Sequence, residues 1–302
     1  MKPRGLDWLL QFAVPEKLKR WQAFVAKNLE NRTKQEEDVK KGIQPERKDF
    51  FHYLFDAKDP DTGEPGYDLN ELFGECELLT IAGSDTTAIV TAALAFYLAR
   101  NPKVHAKLAK ELTSTFAYAT EIAAGSKLHG CRYLRAVIYE TLRMAPPVPA
   151  ELAREVLPGG TTVDGEFFPD GVELSTCLYC LSYNKDIYPS PFKFRPERWL
   201  TTSEDPEGST PDEVERAESG HCAFSTGSRG CVGKNMAWME MQIVLGKMVH
   251  GFEIKQDPSS GLGGGSAELR EGHREAEQYQ LYDAFVAMRD GPMVQFKERK
   301  TA

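Results

Sequence analysis

Apolar positions recur at helical spacing along much of the chain. After Pro15, the residues Leu18, Trp21, Phe24, Val25 and Leu29 share one face, which predicts a helix opened by the proline. Asp49 stands where a cap would sit for a short helix through Phe55, and Asp59 to Gly66, rich in Asp, Pro and Gly, reads as a loop. From Leu69 to Arg100 the pattern is that of one long helix of about 30 residues, which at 1.5 Å rise would run about 45 Å. Further helices are predicted from Pro102 to about Phe116, from about Cys131 to Met144, where Pro146-Pro147 stops it, and over the apolar run Met236 to Val249. Residues 151–182 alternate like short strands around the Gly159-Gly160, Asp164-Gly165 and Asp170-Gly171 turns. A loop-rich section with Pro189, Pro191 and Pro196 follows, and the tail from Phe252 to Lys300 has a Gly-rich, disordered-looking centre at 261–265. Strand-like runs then appear at Tyr279 to Met288 and Pro292 to Phe296. The pattern is mainly α with a small β portion, an α+β class.

The polar stretches fill in the surface. Asn31 to Lys48 reads as a solvated helix end and loop, and residues 202–220, acidic and rich in Ser and Pro, as an exposed insertion. A net charge of −8 over 302 residues argues against a nucleic-acid binder, which would normally show a basic face. Six scattered cysteines point to a reducing compartment. Cys177 and Cys180 lie two residues apart in a strand-like apolar run with no second pair or nearby His, which argues against zinc. Residues 1–14 contain Asp7 and do not read as a signal peptide or anchor. The longest apolar run, Thr87 to Ala99, is shorter than the roughly 20 residues a spanning helix needs and reads as a buried helix.

One stretch carries distinctive chemistry: Phe224-Ser-Thr-Gly-Ser-Arg-Gly-Cys231-Val-Gly233. It presents a cysteine in a glycine-rich turn at the mouth of the Met236–Val249 helix, where outward backbone N–H groups favour negative charge and suit a thiolate. A thiolate in such a cradle is a strongly donating ligand, and thiolate-ligated haem is one use of it. Gly227 and Gly233 leave room for a flat macrocycle, Phe224 can cover the proximal side of the sulfur, and Arg229 suits a carboxylate such as a haem propionate. A second stretch, Ala82-Gly83-Ser-Asp85-Thr86-Thr87, is a poor helix interior on propensity, which points to a kink facing something functional. A carboxylate beside a hydroxyl there can hold water and relay protons. A third, Glu140-Thr-Leu-Arg143, pairs opposite charges on one face of a largely apolar helix, and Arg198 in Pro196-Glu-Arg-Trp199 is a candidate third partner.

These stretches together resemble the cytochrome P450 superfamily. Residues 224–233 fill its haem signature, 82–87 its distal-helix oxygen-activation motif, and 140–143 with 196–199 its Glu-x-x-Arg and Pro-Glu-Arg elements, in the family's order. The resemblance implies haem b with Cys231 as iron ligand, and Ala82, Gly83, Phe224, Gly227, Arg229 and Gly233 as cofactor contacts. Arg154 resembles the arginine that pairs with a propionate. It further implies Thr86 as the hydroxyl beside the oxygen position, Asp85 as proton donor, and Glu140, Arg143 and Arg198 as a structural triad supporting the cysteine loop. Ile81, Val148, Ala150 and Phe285 are expected to line a pocket for an apolar small molecule.

The expected function is a haem-thiolate monooxygenase, fungal-like and serving secondary metabolism. The alternatives are a non-catalytic truncated remnant and a non-monooxygenase haem-thiolate enzyme. Electrons are expected from NADPH through a separate cytochrome P450 reductase, since no Gly-x-Gly-x-x-Gly motif is present, and Lys234 lies on the face where such a donor would dock. Only 81 residues precede Ala82, so the expectation is a single partial domain over 1–302 lacking the family's N-terminal helices and anchor. Within it, residues 15–116 hold helices including the distal helix 69–100, and 117–200 the core helix, strands and Pro-rich segment. The acidic insertion 202–220 and the cysteine loop, proximal helix and C-terminal strands of 221–302 complete it. Full-length relatives imply the cytosolic face of the endoplasmic reticulum membrane, while a chain without an anchor could be cytoplasmic.

Overall fold

The structure is a computed structural model that describes residues 15–43 and 48–299. The chain divides into two compact units, up to Ala82 and from Gly83 onward.

In the first unit, α1 (Glu16–Lys40) follows Pro15 as the spacing predicts, and α2 (Phe50–Asp56) is capped by Asp49, whose carboxylate accepts from the His52 amide at 3.0 Å. The start of α3 (Leu69–Arg100) is fixed by a reciprocal cap, Asp68 accepting from Glu71 N at 2.9 Å while Glu71 accepts from Asp68 N at 2.8 Å. Val25, Leu29, Leu72 and Cys76 form the small core, with Trp21, Phe51 and Phe55 against it. The expectation that residues 31–48 are a solvated end and loop is corrected over 31–40, residues 44–47 lying outside the described residues. The helix continues to Lys40, and Arg32 and Glu36 are buried. Arg32 pairs with Glu36 at 2.9 Å and Asp49 at 2.9 Å, so its charge is neutralised where it is desolvated.

The second unit holds the latter part of α3, which runs without interruption through Gly83–Thr87, together with α4 (Pro102–Thr115), α5 (Ser126–His129) and α6 (Arg132–Met144). Burial of Glu111 raises its pKa, yet its carboxylate caps α6 by accepting from Tyr133 N and Leu134 N, both at 2.9 Å. α3 is the described helix long and apolar enough to cross a membrane, but Val90, Ala93, Leu94, Phe96, Tyr97 and Leu98 are buried in the core of this unit. Four short strands follow, β1 (Arg154–Glu155), β2 (Thr161–Val163), β3 (Glu166–Phe168) and β4 (Glu173–Leu174). β1 pairs with β4 and β2 with β3, both antiparallel. The strand-like run expected to reach residue 182 ends earlier, because Leu178–Ser182 forms the short helix α7 with Cys177 at its N-cap.

Residues 202–220 are not simply an exposed insertion. Thr210 and Glu213 make a capping box for α8 (Pro211–Ser219), Ala217 is buried in the core, and buried Asp205 pairs with Lys107 at 2.6 Å. After α9 (Lys234–Gly251), β5 (Phe252–Gln256) pairs antiparallel with β6 (Val294–Glu298), Ile254 opposite Phe296. The expected strand at 279–288 is limited to isolated bridges, Gly264 with Tyr279 and Tyr282 with Met288.

The glycine-rich 261–265 stretch is packed rather than loose. A Cβ added at Gly264 would lie 2.6 Å from the Ala276 carbonyl oxygen, a backbone atom that cannot swing aside. Gly264→Ala is therefore expected to cost about 1–3 kcal/mol through overpacking. It should appear as a lower urea midpoint with an unchanged slope.

Candidate functional site

The cysteine loop is shaped by its backbone. Ser225 takes a positive φ of 56° and donates its N–H to Cys222 O at 2.8 Å, turning the chain after Phe224. Gly227, at φ 68°, opens a single 3-10 turn through Arg229, closed by Gly230 N to Gly227 O at 3.0 Å. Cys231 N then donates to Phe224 O at 2.8 Å, so the two ends of the loop are clasped together. Lys234 N reaches Cys231 O at 3.3 Å, and Gly233 is the N-cap of α9.

The result is an exposed cysteine flanked by the 94 % exposed Val232. A side chain at Gly230 would press on the Gly227 carbonyl at 3.2 Å, and one at Gly233 would touch the Cys231 sulfur at 3.8 Å. A soft sulfur donor, kept clear by glycines and beside an exposed apolar side chain, fits a haem with a thiolate ligand.

Behind the loop lies the buried triad. Glu140 Oε1 accepts from Arg143 Nη2 at 2.8 Å, Arg198 Nε at 3.0 Å and Arg195 N at 3.0 Å. Its Oε2 accepts from Arg143 Nε and Trp199 Nε1, both at 2.9 Å. Burial alone would raise the Glu140 pKa, but the guanidiniums of Arg143 and Arg198 outweigh it and hold the carboxyl below its ordinary value. The arrangement expected from sequence is present, while Arg195 and Trp199 were missed as partners. A tryptophan directly after Pro-Glu-Arg was the available signal, since a buried indole N–H needs an acceptor.

Aromatic rings carry the packing from this triad to the loop. Trp199 stacks on Tyr139 at 5.2 Å, Tyr139 meets Trp238 at 4.7 Å, and Trp238 lies 6.3 Å from Phe224. His221 sits edge-on to both Tyr139 and Trp199, and burial pushes it down to about 4, so it is neutral at pH 7.

On α3, Gly83 and Asp85 are exposed and Thr86 and Thr87 half-buried. Nothing lies within 4 Å of a Cβ added at Gly83. Gly83, Ser84 and Thr87 line a cleft of about 660 Å³ with Glu240 and Met248 of α9 and Phe296 of β6, and Thr87 Oγ1 reaches Glu240 Oε2 at 3.5 Å. Cys231, Phe224 and Arg229 do not line this cleft. Glu240, nine residues beyond Cys231, was not foreseen from sequence.

Val148 and Ala150 are half-buried on the strap after Pro147, whose carbonyl accepts from Ala287 N at 2.9 Å. That bond brings the turn carrying Phe285, 64 % exposed and at φ 70°, beside the strap. Ile81 is half-buried on α3 within the first unit, and Ala82 next to it is exposed. Arg154 is exposed, and its guanidinium donates to the Leu152 and Ala153 carbonyls at 3.3 and 2.8 Å.

The sequence profile of the cytochrome P450 family matches residues 6–262. The chain belongs to the cytochrome P450 family. Among its P450 relatives, the cytochrome P450 monooxygenase atnE of Emericella nidulans is 39% identical over 252 residues, 83% of this chain and 46% of that protein. The cytochrome P450 monooxygenase apf7 of Gibberella fujikuroi is 37% identical over 295 residues, 95% of this chain and 53% of that protein. A third, fscF of Fusarium equiseti, is 36% identical over 280 residues, 91% and 51% respectively. The chain spans about half the length of these curated relatives. P450 membership implies haem with a cysteine thiolate on its iron, and the mainly helical architecture with small sheets agrees with the fold.

Proposed function

We propose that this chain provides the haem-thiolate portion of a monooxygenase that inserts one oxygen atom from O2 into an apolar small molecule, in secondary metabolism. The observation that carries the reading is the exposed Cys231 in its glycine loop at the start of α9. When bound, the haem supplies dioxygen activation, helped by electron donation from the thiolate. Cys231 would ligate the iron, Gly227 and Gly233 would leave room for the macrocycle, Phe224 would shield the sulfur, and Arg229 and Arg154 would pair with the propionates. Ala82 and Gly83 would leave room for the haem and oxygen, and on the same helix the Asp85 carboxyl would deliver protons that the Thr86 hydroxyl would hand on. Val148, Ala150 and Phe285 would give the substrate an apolar wall.

Electrons come from NADPH through a cytochrome P450 reductase, with Lys234 on the docking face. The working location is the cytosolic face of the endoplasmic reticulum membrane, by analogy with full-length relatives.

The test is the spectrum of the haem-reconstituted chain after reduction and exposure to carbon monoxide. A red-shifted Soret band supports the reading, and a chain that takes up no pigment overturns it. Thr86→Ala is expected to keep that band while product formed per NADPH, with reductase present, falls by up to about a hundredfold. Unchanged coupling in that variant would remove Thr86 from the proton path.

A further inference from the structure

The Cys177-Leu-Tyr-Cys180 segment has no part in the chemistry above, yet the fold gives it a defined setting. Cys177 is the N-cap of α7, half-buried, and its S–H points at the Pro149 carbonyl at 3.6 Å. Cys180 lies one turn further and is exposed. Tyr179 N, between them, also donates to Pro149 O, at 2.9 Å, and Cys177 forms a bridge with Glu151. Both cysteines therefore sit on the turn that holds the strap carrying Val148 and Ala150.

The pair also has the three-residue spacing of neighbours on one helix face. Residues three apart on a helix bring their Cβ atoms to about 5–6 Å. A disulfide needs Cβ atoms about 3.5–4.5 Å apart. The gap is small, and Cys177, with ψ 110°, lies outside the helix proper and can close it without unwinding α7. Hydrogen bonding to Cys177, more than burial, pushes the Cys180 thiol up, in keeping with that spacing.

We propose that Cys177 and Cys180 form a reversible dithiol–disulfide site, oxidised by a low-molecular-weight disulfide such as oxidised glutathione, and that closing it gives up the Cys177 S–H contact with Pro149 O while stiffening the α7 turn whose Tyr179 N–H holds that carbonyl. One cysteine thiolate attacks a glutathione sulfur, forming a mixed disulfide and releasing one glutathione thiolate. The second cysteine, after losing its proton, displaces the other glutathione. Two protein thiols lose two hydrogens, and one oxidised glutathione becomes two reduced molecules.

The test takes the full chain, treated with dithiothreitol or with oxidised glutathione, then blocked with an alkylating reagent and mapped by mass spectrometry. After oxidation the 177–180 peptide is expected to be unalkylated and lighter by two hydrogens, returning to the doubly alkylated form with dithiothreitol. The Cys180→Ser variant should lose this product. Cys222 and Cys231 are read on separate peptides. Hydrogen exchange at the Tyr179 amide should slow several-fold in the oxidised chain. Alkylation of both cysteines after oxidation, or a persistent glutathione adduct on either one, overturns the site. A disulfide that leaves Tyr179 exchange unchanged overturns the stiffening of the turn.

Discussion

Replacing Cys231 by alanine is expected to abolish the red-shifted carbon-monoxide band completely while leaving the folded chain almost as stable as before. Two features decide this. The side chain is exposed, so its removal opens no cavity in the core. The bonds that shape the loop, Cys231 N to Phe224 O and Lys234 N to Cys231 O, are made by the backbone and survive the substitution. Surface changes of this sort usually stay within about 0.5 kcal/mol. Alanine, however, has no lone pair to donate to iron. A spectrum unchanged in Cys231→Ala would end the assignment of this residue as ligand. A large loss of thermal stability in the apo chain would show instead that the sulfur is part of the core.

Glu140→Ala should have the largest effect on stability. The substitution leaves the guanidiniums of Arg143 and Arg198, 1 % and 3 % exposed, buried without their carboxylate, and strips Trp199 Nε1 and Arg195 N of their acceptor. Breaking a buried pair from one side costs about 3–5 kcal/mol. For a unit of this size that is a fall of roughly 10 °C in the melting temperature. The Glu140 carboxyl titrates below its ordinary value in the fold, so its contribution is present above about pH 4.5 and is lost as the pH falls through the lower, folded value.

His221 acts in an earlier window. Its folded value of about 4 lies below the ordinary 6.5, so the unfolded chain takes up a proton first and stability declines from about pH 6.5 downward. Thermal melts across pH should show the His221 decline in both wild type and Glu140→Gln, and a larger further acid loss in wild type. Because Tyr139, Trp199 and Trp238 connect the triad to Phe224, Glu140→Ala should also weaken haem retention.

The sequence was most readable where physics is local. Helical spacing located α1, α3, α4 and α6 because their apolar faces repeat within each element, and the Glu140–Arg143–Arg198 grouping was legible because two of its members share one helix face. Long-range pairing was not. The acidic composition of 202–220 reads as solvated, and nothing nearby reveals that Lys107 neutralises Asp205 from almost a hundred residues away. Arg32 and Glu36 looked wet for the same reason, their partners Asp49 and His52 lying on another helix. The 261–265 glycines read as loose because composition cannot tell a flexible linker from backbone pressed against Ala276 and Glu275. In the cleft beside α3, the meeting of Thr87 and Glu240 depends on how two distant helices pack, which no spacing encodes.

The pairing of β5 with β6 bears on how the chain is made. Nearly forty residues separate the end of β5 from the start of β6. At translation rates of about 5–20 residues per second, β5 leaves the ribosome seconds before β6, its sheet neighbour among the described residues, exists. During that interval its backbone edge and the Phe252 ring are open to other nascent chains, a vulnerability that chaperones would have to cover.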